Sequence, residues 1–185
     1  MDKCPKCQTT GQMVRHGKYW RKPRDREQVY RVPIWRWFCK ACKHTSSALP
    51  DFLLPGRWYV VEVVSEVVVA RAEEGASWGK LEEGPHNGPQ VRTMRRWWQA
   101  LGEHGWRWVK AILKMLAEQD SGSPWLEPCG EGASGQDLAQ YLLGAAGHLL
   151  AWAKSRWEEL AGYGWKDRWR FLGLWGSGQG LGRLV

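Results

Sequence analysis

A chain of 185 residues has room for one domain with appendages or two small ones. Its net charge of +8 is unevenly spread: residues 1–50 hold 12 Lys and Arg against 3 Asp and Glu, and residues 51–185 hold 15 against 16. The opening Met1-Asp2-Lys3 has no apolar run that would make a secretory leader. The longest apolar stretch, Leu138 to Ala153, is interrupted by Gln140 and His148 and falls short of the ~20 apolar residues of a membrane span, so the expectation is a cytoplasmic protein with no membrane partner.

Residues 1–50 read as a β-rich unit. Met13–Trp20 and Gln28–Phe38 alternate and are rich in Val, Tyr, Ile, Trp and Phe, with a polar turn at Lys22–Arg26 between them. The cysteines frame this segment. In a reducing compartment they do not form a disulfide framework. Four of the five make two Cys-x-x-Cys pairs, Cys4/Cys7 and Cys39/Cys42, while Cys129 stands alone and reads as a small buried apolar residue. A two-residue gap lets both thiolates of a pair reach one ion, and a hairpin between the pairs completes a tetrahedral set, so the expectation is one structural zinc held by Cys4, Cys7, Cys39 and Cys42. Two redox motifs would each want a βαβ context that is absent. An iron centre takes the same four sulfurs, and the choice between zinc and iron stays open at this point. Four sulfurs leave no open position, which makes the site structural.

Around the cysteines, Arg15, Lys18, Arg21, Lys22, Arg24 and Arg36 alternate with Tyr19, Trp20, Trp35 and Trp37. Cations supply phosphate contacts, and interleaved rings supply stacking. Most of the 15 tryptophans are expected in packing roles, with a minority free to stack on bases.

Pro50, Pro55 and Gly56 separate this unit from residues 57–118, which read as helical. Tyr59, Val60, Val63, Val64, Val67 and Val68 recur at helical spacing, with Glu62 and Glu66 on another face. A short helix is expected at Ser77–Glu83, then a loop over Gly84–Gly88, then a helix from Pro89 to about Leu101 with Gly88 as its cap. On that helix Val91, Met94, Trp98 and Leu101 make an apolar stripe. Arg92, Arg95, Arg96 and Gln99 make an outer face suited to a DNA major groove, where arginine reads guanine edges or phosphates and glutamine reads adenine. Another helix is expected from Trp106 to Glu118. Residues 120–133 read as a linker, and 134–161 as a C-terminal helix whose Leu138, Leu142, Leu149 and Leu160 pack on the body or pair two copies as a homodimer. The Gly-, Trp- and Arg-rich residues 162–185 read as a partly flexible tail. The predicted class is therefore α+β: a small four-cysteine ribbon, a helix-turn-helix-like region and a C-terminal helix.

The segments Cys4-Pro5-x-Cys7, Arg15-His16-Gly17-x-Tyr19-Trp20-Arg21, Val32-Pro33-Ile34-x-Arg36-x-Phe38-Cys39-x-x-Cys42 and Ser47-Ala48-Leu49-Pro50-x-Phe52-Leu53-Leu54-Pro55 resemble a group of uncharacterised bacterial proteins. Those proteins join a zinc ribbon to a helix-turn-helix, and similar ribbons open many transposases. The resemblance, over residues 4–101, implies double-stranded DNA as partner in transposition or regulation. Glu74-Gly75-x-Ser77-Trp78 is family-like, but the Gly84–Gly88 loop is longer and more broken than a compact turn.

No phosphate loop, serine elbow or His-Glu-x-x-His stands in the chain. The acids after Glu118 lack strand contexts that would gather them around two metals. The sequence therefore favours a binding protein over an enzyme: a mobile-element accessory factor or a regulator. The alternatives are an adaptor docking a polymerase, recombinase or ribonucleoprotein, and a binder of RNA or single-stranded DNA.

Overall fold

Three antiparallel strands open the chain in the order β1 (Met13–Arg21), β2 (Val32–Cys39) and β3 (Thr45–Ala48). The computed structural model describes residues 2–83, 88–119, 135–164, 167–181 and 184–185. The β1–β2 register pairs Met13 with Cys39 and Arg21 with Val32 and shifts between Arg15 and Gly17. Gly17, at φ +114°, takes the backbone turn at that bulge, a conformation that a Cβ disfavours. β3 is an addition to the expected hairpin. Its Thr-Ser-Ser-Ala has neither the length nor the side chains of a recognisable strand, and it forms because β2 offers it an open edge.

The helices follow: α1 (Val61–Glu73), α2 (Trp78–Glu82), α3 (Val91–Gln119), α4 (Gly135–Lys154) and α5 (Arg168–Gly178). Valine is a modest helix former, yet α1 holds because Val61, Val63, Val64, Val67 and Val68 are all buried, which places core around most of its circumference. It ends where the Ala76 amide reaches back to the Ala70 carbonyl (3.1 Å) across Gly75 at φ +65°. Ser77 then caps α2 by accepting from the Lys80 amide.

Two helices expected at Pro89–Leu101 and Trp106–Glu118 are one continuous helix, α3. Gly102 and Gly105 suggest a break, at a cost of ~1 kcal/mol each relative to alanine. Burial overrides it. Leu101, Gly105, Trp108, Val109, Ile112 and Leu116 form one buried face, and a Cβ at Gly105 would lie 3.5 Å from Leu138 of α4. The helix begins at Val91, two residues after the expected Pro89, and its first amide donates to the Glu82 carboxylate (3.1 Å). Its stripe is Met94, Trp97 and Leu101. Trp98, expected in that stripe, is half-buried and meets Trp78 edge-on.

α4 ends at Lys154, short of the expected Leu160, which lies in a 3-10 turn at Glu158–Leu160. Leu138, Leu142 and Leu149 are buried within the chain against α1, α3 and α5, so the face offered as a dimer seam is spent internally. The expected flexible tail contains α5, with Trp169, Phe171 and Leu172 buried. Arg170 pairs with Asp51, and Arg57 donates to the Val185 carbonyl at 2.8 Å, which fastens the C-terminal residues to the segment joining sheet and helices. The expected linker at 120–133, Cys129 within it, and the loop residues 84–87 lie outside the described residues. No described helix is long and apolar enough to cross a membrane.

The sheet meets the helices through few side chains. Ile34 is fully buried in the common core, and Arg26 forms an ion pair with Glu66 of α1 (3.1 Å). Leu53 bridges to Val60, and the Val61 amide donates to the Phe52 carbonyl (2.9 Å), which sets the start of α1.

Candidate metal centre and cationic surface

Each cysteine pair lies in the same backbone loop. The Cys4 amide donates to Thr9 (3.0 Å) and the Gln8 amide to the Cys4 carbonyl (2.9 Å); the Cys39 amide donates to His44 (2.8 Å) and the Lys43 amide to the Cys39 carbonyl (2.9 Å). Gln8 and Lys43, each the residue after the second cysteine of its pair, both have positive φ, 61° and 57°. Two knuckles of one geometry thus face each other, and the Lys40 amide ties the second to the Gln12 carbonyl (2.9 Å).

The four sulfurs lie within 4.8 Å of one another. The cross-knuckle separations Cys4–Cys42 and Cys7–Cys39 are both 3.7 Å. A tetrahedron with metal–sulfur bonds of about 2.3 Å has sulfur–sulfur edges of about 3.8 Å. The donors therefore fit one tetrahedral ion, and all four cysteines are free of disulfides. Cys4 and Cys39 are buried and Cys7 faces solvent, so one side of the centre is open to reagents. The Thr9 hydroxyl, 3.3 Å from the Cys7 sulfur, and the Thr9 amide hold the Cys7 thiol down to about 6; burial pushes Cys42 up to about 12. A bound cation requires all four sulfurs as thiolates, so its binding releases whatever thiol protons they still carry.

The ribbon cations divide into two groups. Arg15, Lys18, Lys22 and Arg36 are exposed, as expected of phosphate contacts. The Arg15 guanidinium lies 3.9 Å from the Trp35 ring centre and Lys18 5.4 Å from the Trp20 and Trp35 rings, so cations and indoles interleave on one sheet face. Arg21, expected in the same role, points the other way: its guanidinium donates to the Leu54 carbonyl (3.2 Å) and to the Arg57 carbonyl. Arg24 is half-buried, 5.6 Å from the Tyr59 ring, with its backbone paired to Trp58 and Val60. Charge alone does not tell a sequence reader whether a guanidinium serves solvent or a nearby carbonyl. Arg21→Ala is expected to cost about 1–3 kcal/mol by stranding those carbonyls, lowering the thermal midpoint with no change in the salt dependence of polyanion binding. A shifted salt slope at unchanged stability would return Arg21 to the phosphate contacts.

On α3, Arg92, Arg95, Arg96 and Gln99 are all exposed on the opening turns. The Gln99 amide donates to the Glu103 carboxylate (3.0 Å), which occupies part of its donor capacity. Arg96 and Thr93 line a cleft of about 300 Å³ with Arg24, Trp58 and Tyr59, and in this way the helix face reaches the ribbon. Trp58 is a residue that sequence reasoning missed. It is 64% exposed, and its only signal is that it lies just before the helical series starting at Tyr59.

A family model described as a domain of unknown function (DUF6431) matches residues 4–97, just over half of the chain, and the chain belongs to that family. The match takes in both cysteine knuckles, the sheet, α1, α2 and α3 as far as Trp97. No curated protein and no solved structure matches the chain.

Proposed function

We propose that this member of the DUF6431 family is a zinc-dependent DNA-binding protein without catalytic activity of its own, gripping duplex DNA with the first turns of α3 and the cationic strands of the ribbon. One observation carries the reading: Arg96, one of the exposed arginines of α3, lines a single cleft with the ribbon's Arg24, so the cationic helix face adjoins the cationic ribbon. Zinc is the cation of choice because four thiolates in a closed tetrahedral set are its usual structural ligands. Arg92 and Arg95 flank that surface without an ion pair among the described residues, which leaves their guanidinium groups to phosphates and base edges. The likeness of the ribbon to transposase N-termini makes the end of a mobile element the first duplex to try.

The test is an anisotropy titration of a labelled duplex against salt. The logarithm of affinity should fall with the logarithm of salt by about 0.9 per neutralised phosphate. Arg92→Ala with Arg95→Ala should weaken binding by roughly 1–3 kcal/mol for each base edge no longer read and flatten that slope. Binding that ignores salt, or a double variant with the native affinity and slope, defeats the reading.

A further inference from the structure

Trp58 stands at the junction of ribbon and helices with its backbone fixed and its ring outside. Its carbonyl accepts from the Arg24 amide (2.8 Å), and the Val60 amide donates to the Arg24 carbonyl (3.0 Å). The residue is thus locked between a strand-like bridge and the start of α1, while its indole is the most exposed large apolar side chain among the described residues, at 64%. Among the described residues it has no ring partner and no cation over its face. Trp20, 46% exposed, differs: Arg31 lies 4.4 Å and Lys18 5.4 Å from its ring centre.

Two clefts share Trp58 as their common wall. One, of about 300 Å³, opens toward Arg24 and Arg96; the other, of about 350 Å³, opens toward Trp20 and Lys22. Among the described residues no carboxylate lines either of them. Lys22 and Arg96 make no ion pair or hydrogen bond among the described residues and are exposed. A rigid aromatic face between two cationic clefts matches a chain of alternating bases and phosphates better than an acidic peptide, whose Asp and Glu side chains bring charge but no ring to stack on the indole.

We propose that Trp58 and its two clefts hold an unpaired nucleotide of single-stranded DNA, the base stacked on the indole and the flanking phosphates facing Lys22 on one side and Arg96 on the other. A base inside a duplex already has both faces covered, so a stacking ring of this kind requires an unpaired one. The site shares the Arg96 cleft with the proposed duplex surface and adds to it a stacking ring that only an unpaired base can use.

The experiment uses the full, metal-loaded chain with a labelled oligothymidylate, a blunt duplex and a single-stranded RNA of matching length. Trp58→Ala should weaken oligothymidylate binding by about 5- to 140-fold, the factor for one stacked base, and Trp58→Phe should retain most of the affinity. Trp58→Ala should cost duplex affinity far less than it costs oligothymidylate affinity, and Arg92→Ala with Arg95→Ala should show the converse order. Because the ring is outside the core, Trp58→Ala is expected to keep its metal content and circular dichroism. The inference is overturned if Trp58→Ala binds oligothymidylate like the native chain, if it loses single strand and duplex in equal proportion, or if RNA is bound where single-stranded DNA is not. A native chain that ignores duplex but binds oligothymidylate through Trp58 would remove the duplex reading and leave this one in place.

Discussion

Stripping the metal is expected to unfold the N-terminal ribbon while most of the helical body keeps its structure. The ribbon has almost no core of its own. Along β1 the run from Arg15 to Trp20 is exposed, and in β2 only Ile34 and the ligand Cys39 are fully buried. A four-thiolate zinc contributes apparent folding energy on the order of 10–16 kcal/mol, far above what one isoleucine supplies at about 1.5–3 kcal/mol. The helices differ, since their buried residues, among the described ones, join in one core cluster that takes in α1, α3, α4 and α5. Elemental analysis should find one metal per chain. After a chelator, or in Cys39→Ser, trypsin should cut rapidly among the ribbon's lysines and arginines and leave α1, α3 and α4 protected. Some loss of thermal stability in the body is expected as well, because Ile34, Arg21 and Arg26 reach into it. A ribbon equally protected with and without chelator, or a chain that purifies without a stoichiometric metal, would remove the metal centre.

The ribbon was legible because ligand chemistry is written in residue type: Cys-x-x-Cys repeated across a hairpin leaves few alternatives, and both knuckles close as that spacing requires. α1 was legible from period alone, although valine's propensity argued against it. The differences from local expectation share one cause: tertiary burial decides where local signals point elsewhere. Gly102 and Gly105 look like breakers, but Gly105 is where α4 comes close. The glycines after Gly162 look like a loose tail, but Trp169, Phe171 and Leu172 supply enough apolar surface to hold α5 on the body. The choice of Trp97 over Trp98 for the core turns on where Tyr59 sits, and its ring lies 5.4 Å from that of Trp97. At the candidate surface, residue type found the exposed arginines of α3 but not the fate of Arg21, and it had no means of picking Trp58 out of fifteen tryptophans.

The seating of α5 can be tested at one atom. Gly176 is buried against α3, and a Cβ built there would lie 2.0 Å from the Cη2 and Cζ3 atoms of Trp108. Two effects of Gly176→Ala oppose each other. Alanine favours a helix over glycine by about 0.8–1 kcal/mol, whereas overpacking a closed core costs about 1–3 kcal/mol and at times more. The clash should win, because Trp108 is only 2% exposed and has no open side to swing toward. α5 must lift, and Trp169 and Leu172 lift with it. With the clash near the top of its range, the expected net loss is about 2 kcal/mol, seen as a fall in thermal midpoint of roughly 4–8 °C. Trp108→Leu made in the Gly176→Ala background should recover part of the loss, with a coupling of about 0.5–3 kcal/mol between the two sites. If Gly176→Ala were instead as stable as the native chain, helix propensity would have prevailed. α5 would then not rest on Trp108, and the C-terminal helix would no longer count as part of the body that carries the family's ribbon and arginine face.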